Sequence, residues 1–362
     1  MGYFSSIDLI NFRNFENYTV SFSKNCNVLH GKNGSGKTNI LEGISLLSKG
    51  RGLRKDKYSN IIKKNCDKFI IKSDFKSEEI IYNLIAETEN INNRFKKKLT
   101  VNNDKSSDSL ELLFNKIPFL YFLPETERLF QSSPSIRRNL IDQFIYTSQN
   151  KYNKLINRYN KLIQERSKVL INNNNDDLWL NQLEKSISVD ALQIYSLRED
   201  QLSVLINNLN IYLSDFGLPF KINTKLIDKF YINNLNIEDY GNILKNNRKI
   251  DALVGGCAIG PHKSDYMFCV NDNSFVSQLS TGQQKTIILL IYLSQCKYLS
   301  EVKFQQPILL LDEVCSHLDD INRKVLLTLI ETFKLQIFMT GTSKNLFSFL
   351  STNANFCNIT DK

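Results

Sequence analysis

The pattern of hydrophobic and polar positions predicts a strand-rich segment at the start of this chain of 362 residues. Apolar and polar residues alternate around Tyr18 to Phe22, and Cys26 to His30 is an apolar run that ends at a glycine. Three more strands are predicted at Phe69 to Phe75, Glu79 to Ala86 and Arg94 to Val101. Short polar turns separate these three strands, which indicates an antiparallel meander.

The period becomes helical from about residue 118. Apolar residues from Tyr152 to Ile163 recur every three or four positions, which predicts an amphipathic helix. A polar break follows at Asn172 to Asp177, and a second helical pattern runs from Leu180 to Leu209 before Gly217 to Pro219 ends it. At ~1.5 Å per residue, the two helices are roughly 30 Å and 45–60 Å long. We therefore expect a helical hairpin or a small bundle.

An alternation of helices and strands follows Gly255 and Gly256. Its four predicted elements are the helix Gln283 to Tyr298, the strand Pro307 to Leu311, the helix Arg323 to Phe333 and the strand Gln336 to Met339. Such a series is typical of an α/β domain. The sequence thus predicts one discontinuous α/β domain, residues 1–117 and 255–362, with an inserted helical lobe at 118–254.

The composition favours a polyanionic partner without requiring one. Lys and Arg number 46 against 37 Asp and Glu, so the net charge is +9. The seven cysteines are widely spaced and only three histidines are present, so we expect free thiols and no zinc-type cluster. No apolar run reaches the ~18 residues of a membrane span. We expect a soluble cytoplasmic protein with no membrane partner.

A glycine-rich segment between the strand Cys26 to His30 and a predicted helix has the pattern of a phosphate-binding loop. Glycines let backbone N–H groups turn toward phosphates, and the helix start adds partial positive charge. We expect Lys37 to reach the β- and γ-phosphates of ATP and Thr38 to ligate Mg²⁺. The candidate nucleotide-binding residues of this loop are Gly31, Lys32, Asn33, Gly34, Ser35, Gly36, Lys37 and Thr38.

Two acidic residues end the apolar strand Ile308 to Leu311. Asp312 is expected to hold Mg²⁺ through water, and Glu313 to orient or deprotonate the attacking water. Lys37, Asp312 and Glu313 are therefore the candidate catalytic residues.

The segment Leu279 to Gln284, which contains Ser280, Thr281 and Gly282, has two interpretations. Ser and Thr are common helix N-caps, so it could be no more than a capped helix start. An exposed helix start is also an anion site, at which the Ser280 hydroxyl and the Gly282 N–H could bind a γ-phosphate.

The order of these motifs, completed by Ser316 to Asp319, resembles the ABC-type ATPases of the SMC-like branch. Further motifs narrow the resemblance to the RecF family of recombination mediators. They are Asn11 to Phe15, Phe122 to Glu125, Ser133 to Asp142, Gly260 to Asp265 and Met339 to Thr342.

This resemblance implies an ABC-type P-loop ATPase head with an antiparallel β subdomain and an inserted helical lobe. It implies ATP with Mg²⁺ as cofactors and an ATP-dependent homodimer. In that dimer Ser280, Gly282 and Gln283 act on the ATP of the partner, Arg13 lies near the phosphates, and Asp319 lines the dimer seam. It also implies DNA near gaps or single-strand/double-strand junctions as a partner, together with RecO- and RecR-type mediators. The expected activity is a weak, DNA-stimulated ATPase in recombinational repair and replication restart.

Some positions stay open in the sequence. Transporter ATPases carry a switch histidine where this chain has Thr340 to Thr342, so another group must sense the γ-phosphate. Glu125 or Gln131 could serve as the glutamine-loop residue. Candidate DNA contacts are Arg51, Arg54, the run Lys96 to Lys98, and the pair Arg137 and Arg138, although a run of charges is usually a solvated face.

Three other functions compete with a DNA-repair ATPase. A transporter subunit is disfavoured by the missing switch histidine. A chromosome-organising or nuclease-associated head is disfavoured by the short helical insertion. An ATP-gated scaffold that barely hydrolyses is disfavoured by Glu313.

Overall fold

The computed structural model describes residues 2–48, 50–77, 80–92, 94–106, 108–111, 117–149, 151–172, 177–231, 235–271, 274–316, 318–333, 335–350 and 354–360. The helix predicted after the glycine-rich segment spans Asn39 to Lys49, and Lys49 lies outside these residues. Glu79 of a predicted strand, His317 of the motif Ser316 to Asp319 and residues 173–176 of the predicted polar break also lie outside them.

The chain divides into two compact units. The first contains Met1–Glu127 and Cys296–Lys362, and the second is Arg128–Gln295. The second unit therefore begins and ends later than the predicted lobe at 118–254. The functional division into an ATPase domain and an inserted lobe stays a prediction.

A five-stranded antiparallel sheet occupies the start of the first unit. Its strands are β1 (Gly2–Phe12), β2 (Phe15–Ser21), β4 (Ile70–Ser77), β5 (Ile80–Ile91) and β6 (Arg94–Val101). The spatial order is β2-β1-β4-β5-β6, so three successive strands form the meander that the sequence predicts.

A parallel sheet forms the second layer of this unit. Its strands are β3 (Cys26–His30), β7 (Phe119–Phe122), β11 (Ile308–Leu311), β12 (Ile337–Gly341) and β13 (Asn355–Asn358), in the order β13-β3-β12-β11-β7. The strand β7 lies in the segment predicted to be a helical lobe. It pairs with β11, which is distant in sequence, and local periodicity carries no signal for such a partner.

The first unit also contains the α-helices α1 (Lys37–Leu46), α2 (Tyr58–Ile61) and α9 (Asp320–Phe333). Helix α1 packs closely on β1, since a Cβ at Gly43 would lie 2.7 Å from Leu9 Cδ2. Buried Gln336 joins the two sheets, because its side chain accepts the Phe4 N–H at 2.8 Å and donates to the Phe4 carbonyl at 2.7 Å. The start of the chain is thereby fixed beside the parallel sheet.

The second unit is mainly helical. Its helices are α3 (Pro134–Ser148), α4 (Lys151–Ile171), α5 (Asp177–Asp215), α6 (Ile237–Asn246), α7 (Arg248–Val254) and α8, which begins in it and runs from Thr281 to Lys297. A small antiparallel sheet accompanies them, with strands β8 (Ile222–Ile227), β9 (Asp265–Val270) and β10 (Ser274–Phe275).

The predicted helical hairpin is present as α4 and α5. Arg158 of α4 donates to Asp190 of α5 at 2.7 Å, which fixes the two helices side by side. Buried Arg198 of α5 forms a bidentate pair with Asp142 of α3, at 2.8 and 2.9 Å. No helix in the described residues is long and apolar enough to cross a bilayer.

Candidate nucleotide site

The glycine-rich loop connects β3 to α1, as its sequence pattern predicts. Gly34 and Gly36 have φ values of 87° and 98°, a region that other residues rarely adopt. A Cβ at Gly36 would also lie 2.4 Å from Phe15 Cζ. Glycine is therefore required at Gly36 by both conformation and space.

The loop directs polar groups toward the start of α1. Lys37 is buried, and its Nζ donates to the carbonyls of Gly31 at 2.9 Å and Lys32 at 2.8 Å. Ser35 is 1% exposed, and its hydroxyl has no hydrogen-bond partner among the described residues. No side chain caps α1 within the described part of the chain, so its first N–H groups are available to an anion.

The acidic end of β11 lies against this loop, although the two are far apart in sequence. Asp312 is 5% exposed, and its Oδ1 accepts hydrogen bonds from Thr38 Oγ1 at 3.0 Å and Thr340 Oγ1 at 2.7 Å. The neighbouring residue Glu313 is exposed and has a φ of 53°. A left-handed conformation costs a residue with a Cβ roughly 1–2 kcal/mol, so the fold holds Glu313 in a strained position.

These residues fit a nucleoside triphosphate with Mg²⁺. The hydroxyl of Thr38 and the carboxylate of Asp312 supply the oxygen ligands that Mg²⁺ prefers. The unpaired Ser35 hydroxyl, the uncapped N–H groups and Lys37 are donors suited to phosphate oxygens. The structure thus brings together the predicted catalytic residues and the predicted phosphate loop.

Arg13 pairs with two acidic side chains beside the loop helix. Its guanidinium donates to both carboxylate oxygens of Glu42, at 2.8 and 2.7 Å, and to Asp56 at 3.0 Å. Glu42 lies on α1, one turn after Thr38, and its side chain is 0% exposed. Arg13 therefore anchors the loop helix, and its contact with phosphate stays a prediction.

Ser280 caps helix α8 in a reciprocal arrangement. Its Oγ accepts the Gln283 N–H at 3.3 Å, and the Gln283 Oε1 accepts the Ser280 N–H at 3.1 Å. Ser280 is exposed and Gly282 is half-buried. Because the hydroxyl is used as an acceptor, its proton is still available for donation. Both interpretations of this segment therefore remain compatible with its geometry.

Ser280, Gly282 and Gln283 belong to the second compact unit, whereas the phosphate loop belongs to the first. Asp319 is exposed in the first unit, and its Oδ1 accepts the Asn322 N–H at 2.7 Å, so it caps α9. The roles of Ser280, Gly282, Gln283 and Asp319 in nucleotide binding stay predictions.

The basic residues considered for DNA contact differ in their exposure and in their hydrogen-bond partners. Arg137 is 6% exposed and pairs with both oxygens of Asp265 at 2.8 Å, which argues against a phosphate contact. Arg138 donates to the Ser264 carbonyl. Arg51 and Arg54 are exposed.

The lysine run is divided by the alternation of β6. Lys97 donates to the carbonyls of Leu46 at 2.9 Å and Ser48 at 2.6 Å, at the end of α1. Burial lowers the pKa of Lys97 to about 7. Lys98 pairs with Glu89 of the neighbouring strand, and Lys96 is exposed. The run is therefore not one continuous basic surface.

Burial lowers the pKa values of His30, which ends the strand before the loop, and of His262. His262 lies between the Tyr159 hydroxyl, 2.9 Å from Nδ1, and the Cys257 carbonyl, 3.0 Å from Nε2. These contacts agree with a structural role for His262. The sequence motifs assign no role to Glu42 or Thr340. The local signal for Thr340 is its place directly after the predicted strand Gln336 to Met339, as Asp312 directly follows the strand Ile308 to Leu311.

The chain is similar to known proteins over nearly its whole length. The family model described as the RecF/RecN/SMC N terminal domain matches residues 3–361. The DNA replication and repair protein RecF of Rickettsia akari is 31% identical over 349 residues, covering 93% of this chain and 94% of that protein. The chain belongs to the RecF family. RecF of Rickettsia felis is similar too, at 30% identity over 346 residues with coverage of 93% and 92%.

Solved structures confirm the predicted fold class for this RecF-family chain. The recombination mediator protein RecF-ATPrS in the RecFOR pathway has a TM-score of 0.84 at 26% identity, covering 98% of this chain and 96% of that one. The Smc head domain of Pyrococcus furiosus, bound to the C-terminal domain of ScpA, has a TM-score of 0.54 at 17% identity, with coverage of 100% and 94%. The Smc likeness concerns the fold alone, which is an ABC-type ATPase head.

Proposed function

We propose that this chain is an ATP-dependent DNA-binding protein of recombinational repair and replication restart. It binds ATP and DNA near gaps, dimerises through ATP, hydrolyses ATP slowly to release DNA, and assists recombinase loading with RecO- and RecR-type mediators in the cytoplasm. The observation that carries the proposal is the hydrogen bond from Thr38 Oγ1 to Asp312 Oδ1, at 3.0 Å. It places the end of the acidic strand beside the phosphate loop. A RecF bound to ATP in the RecFOR pathway, with a TM-score of 0.81 at 27% identity, supports it.

The chemistry of the site assigns a task to each residue. Lys37 and the N–H groups of the loop bind the phosphates, and Thr38 and Asp312 hold Mg²⁺. When bound, Mg²⁺ supplies positive charge that stabilises the developing negative charge on the phosphates. Glu313 is exposed beside Asp312 and orients or deprotonates the attacking water.

ATP in this proposal controls assembly more than it supplies energy. The exposed Ser280 hydroxyl has a proton available for a γ-phosphate held by a second copy of the chain. ATP then stabilises the dimer because it binds the dimer more tightly than the monomer. Exposed basic residues such as Arg51 and Lys96 are left for sequence-independent contacts with DNA phosphates.

The decisive experiment compares wild type with Ser280→Arg and Glu313→Gln, with and without gapped DNA. Dimer formation is measured by sedimentation, and ATP turnover by phosphate release. We expect Glu313→Gln to trap an ATP-bound dimer on DNA, and Ser280→Arg to prevent dimerisation without loss of ATP binding.

Ser280→Ala separates loss of the hydroxyl from added bulk, because it removes the helix cap, at about 1 kcal/mol, and the proposed phosphate contact without adding bulk at the seam. It should weaken ATP-dependent dimerisation less than Ser280→Arg does. A wild-type protein that stays monomeric at saturating ATP and DNA would show that the shared-site proposal is wrong. ATP-dependent dimers with no turnover at all would favour the scaffold alternative.

A further inference from the structure

The candidate site contains a polar residue to which the expected chemistry assigns no role. Thr340 lies in β12, the strand between the loop strand β3 and the acidic strand β11. The register pairs Met339 with Leu311, so Thr340 lies level with Asp312, just beyond the last pair. Its exposed fraction is 1%.

The hydroxyl of Thr340 contacts both acidic residues of the site. It donates to Asp312 Oδ1 at 2.7 Å and accepts the backbone N–H of Glu313 at 2.8 Å. Thr38 donates to the same Asp312 oxygen at 3.0 Å. One hydroxyl thus joins the carboxylate expected to hold Mg²⁺ to the peptide of the residue expected to act on water.

The backbone of Glu313 requires such a restraint. Its φ of 53° is a conformation that a residue with a Cβ keeps only when its surroundings hold it there. The hydrogen bond from its N–H to Thr340 is a restraint placed directly at that peptide. Thr340 Oγ1 also donates to Asp312. A shift of the Asp312 carboxylate therefore moves the hydroxyl oxygen that accepts the Glu313 N–H.

We propose that Thr340 is a positioning residue that sets the backbone of Glu313 for hydrolysis and couples it to the state of Asp312. This inference rests on the proposed ATPase function. Thr340 contacts neither substrate nor attacking water in this role, since it acts through Glu313.

The test uses the full-length protein with Thr340→Val, which keeps the shape and removes the hydroxyl, and Thr340→Ser, which keeps the hydroxyl. We expect Thr340→Val to lower ATP turnover at least tenfold while the Kd for a fluorescent ATP analogue changes less than threefold. Thr340→Ser should restore turnover to within threefold of wild type. In nucleotide-free protein, hydrogen exchange at the Glu313 amide should be about tenfold faster in Thr340→Val.

Thr88→Val is the matched control, because Thr88 is also 1% exposed and its Oγ1 accepts a backbone N–H, that of Phe69 at 3.1 Å. It should leave turnover within twofold of wild type. If Thr340→Val fails to fold, Thr340→Ala and Thr340→Ser provide the same comparison of turnover and exchange.

The proposal would be overturned if Thr340→Val, which lacks the hydroxyl, had the ATP turnover of wild type and the same rate of hydrogen exchange at the Glu313 amide. A loss of ATP affinity equal to the loss of turnover would also overturn it, since Thr340 would then act on binding. Glu313→Gln distinguishes failure of this inference from failure of the proposed ATPase mechanism. If Glu313→Gln abolishes ATP turnover but Thr340→Val leaves turnover unchanged, only the inference about Thr340 fails. If Glu313→Gln turns over ATP like wild type, the proposed ATPase mechanism fails.

Discussion

The buried pair of Arg13 and Glu42 gives a sharp prediction for the stability of the first unit. Glu42 has no exposed side-chain surface, and Arg13 supplies both of its short contacts, at 2.8 and 2.7 Å. Without Arg13 the nearest described cation is Arg54, 3.8 Å away. Removing one partner of a buried pair costs about 3–5 kcal/mol, and here only the 3.8 Å contact with Arg54 would remain for the buried Glu42 carboxylate. We expect this loss for Arg13→Met.

The double variant Arg13→Met/Glu42→Leu removes both charges and should recover stability to within about 1 kcal/mol of wild type, since a buried pair replaced by apolar residues is often neutral. Unfolding should be followed by circular dichroism, because the single tryptophan, Trp179, lies in the second unit. The single variant should melt roughly 10 °C lower.

Lys63→Met is the control, since Lys63 pairs with Glu16 on the surface at 2.9 Å and should lose less than about 1 kcal/mol. A loss of similar size for Arg13→Met would refute the reasoning. ATP binding by the double variant then tests the role implied by resemblance. If Arg13 contacts phosphate, binding stays weak after stability has recovered.

Two further predictions concern the surroundings of the loop. The pKa of Lys97 is about 7 in the folded chain, against 10.5 as its ordinary value. Between pH 7 and 10.5 the unfolded chain therefore keeps a proton on Lys97 that the folded chain has lost. The unfolding free energy of wild type relative to Lys97→Met should therefore rise with pH from about 7 to about 10.5, with a slope of up to ~1.4 kcal/mol per pH unit; a flat difference in urea titrations would contradict this. Gly36→Ala should destabilise more than Gly34→Ala in thermal melts, because a Cβ at Gly36 meets Phe15 at 2.4 Å and one at Gly34 meets nothing within 4 Å, although both positions have positive φ. Equal losses of thermal stability in the two variants would show that the backbone strain of positive φ, and not the contact with Phe15, determines the cost.

Local features of the sequence were sufficient for much of the fold. The loop Gly31–Thr38, the apolar strand before Asp312 and the helical periods of α4 and α5 are encoded by residues close together in the chain. Their periods and turn residues follow from backbone geometry, so they can be predicted without knowledge of partners. The fold class was predicted by resemblance in motif order, and the solved structures confirm it.

The partners of charged residues could not be predicted in this way. Arg137 pairs with Asp265, 128 positions later, and Arg13 with Glu42 on a different element. Lys97, in a run that resembles a basic surface, instead binds carbonyls at the end of α1. A count of charges does not distinguish these residues. Their burial and their hydrogen-bond partners in the structure show which of them are paired within the protein.

The sequence by itself determined the phosphate loop and the acidic strand, because each is a short pattern with its own backbone requirements. Only the tertiary structure decided how they meet. The parallel sheet places β12 between β3 and β11, and this brings Thr340, Asp312 and Thr38 within hydrogen-bond distance. The physical reason is that strand order is set by pairing between distant segments, which leaves no local trace in the sequence.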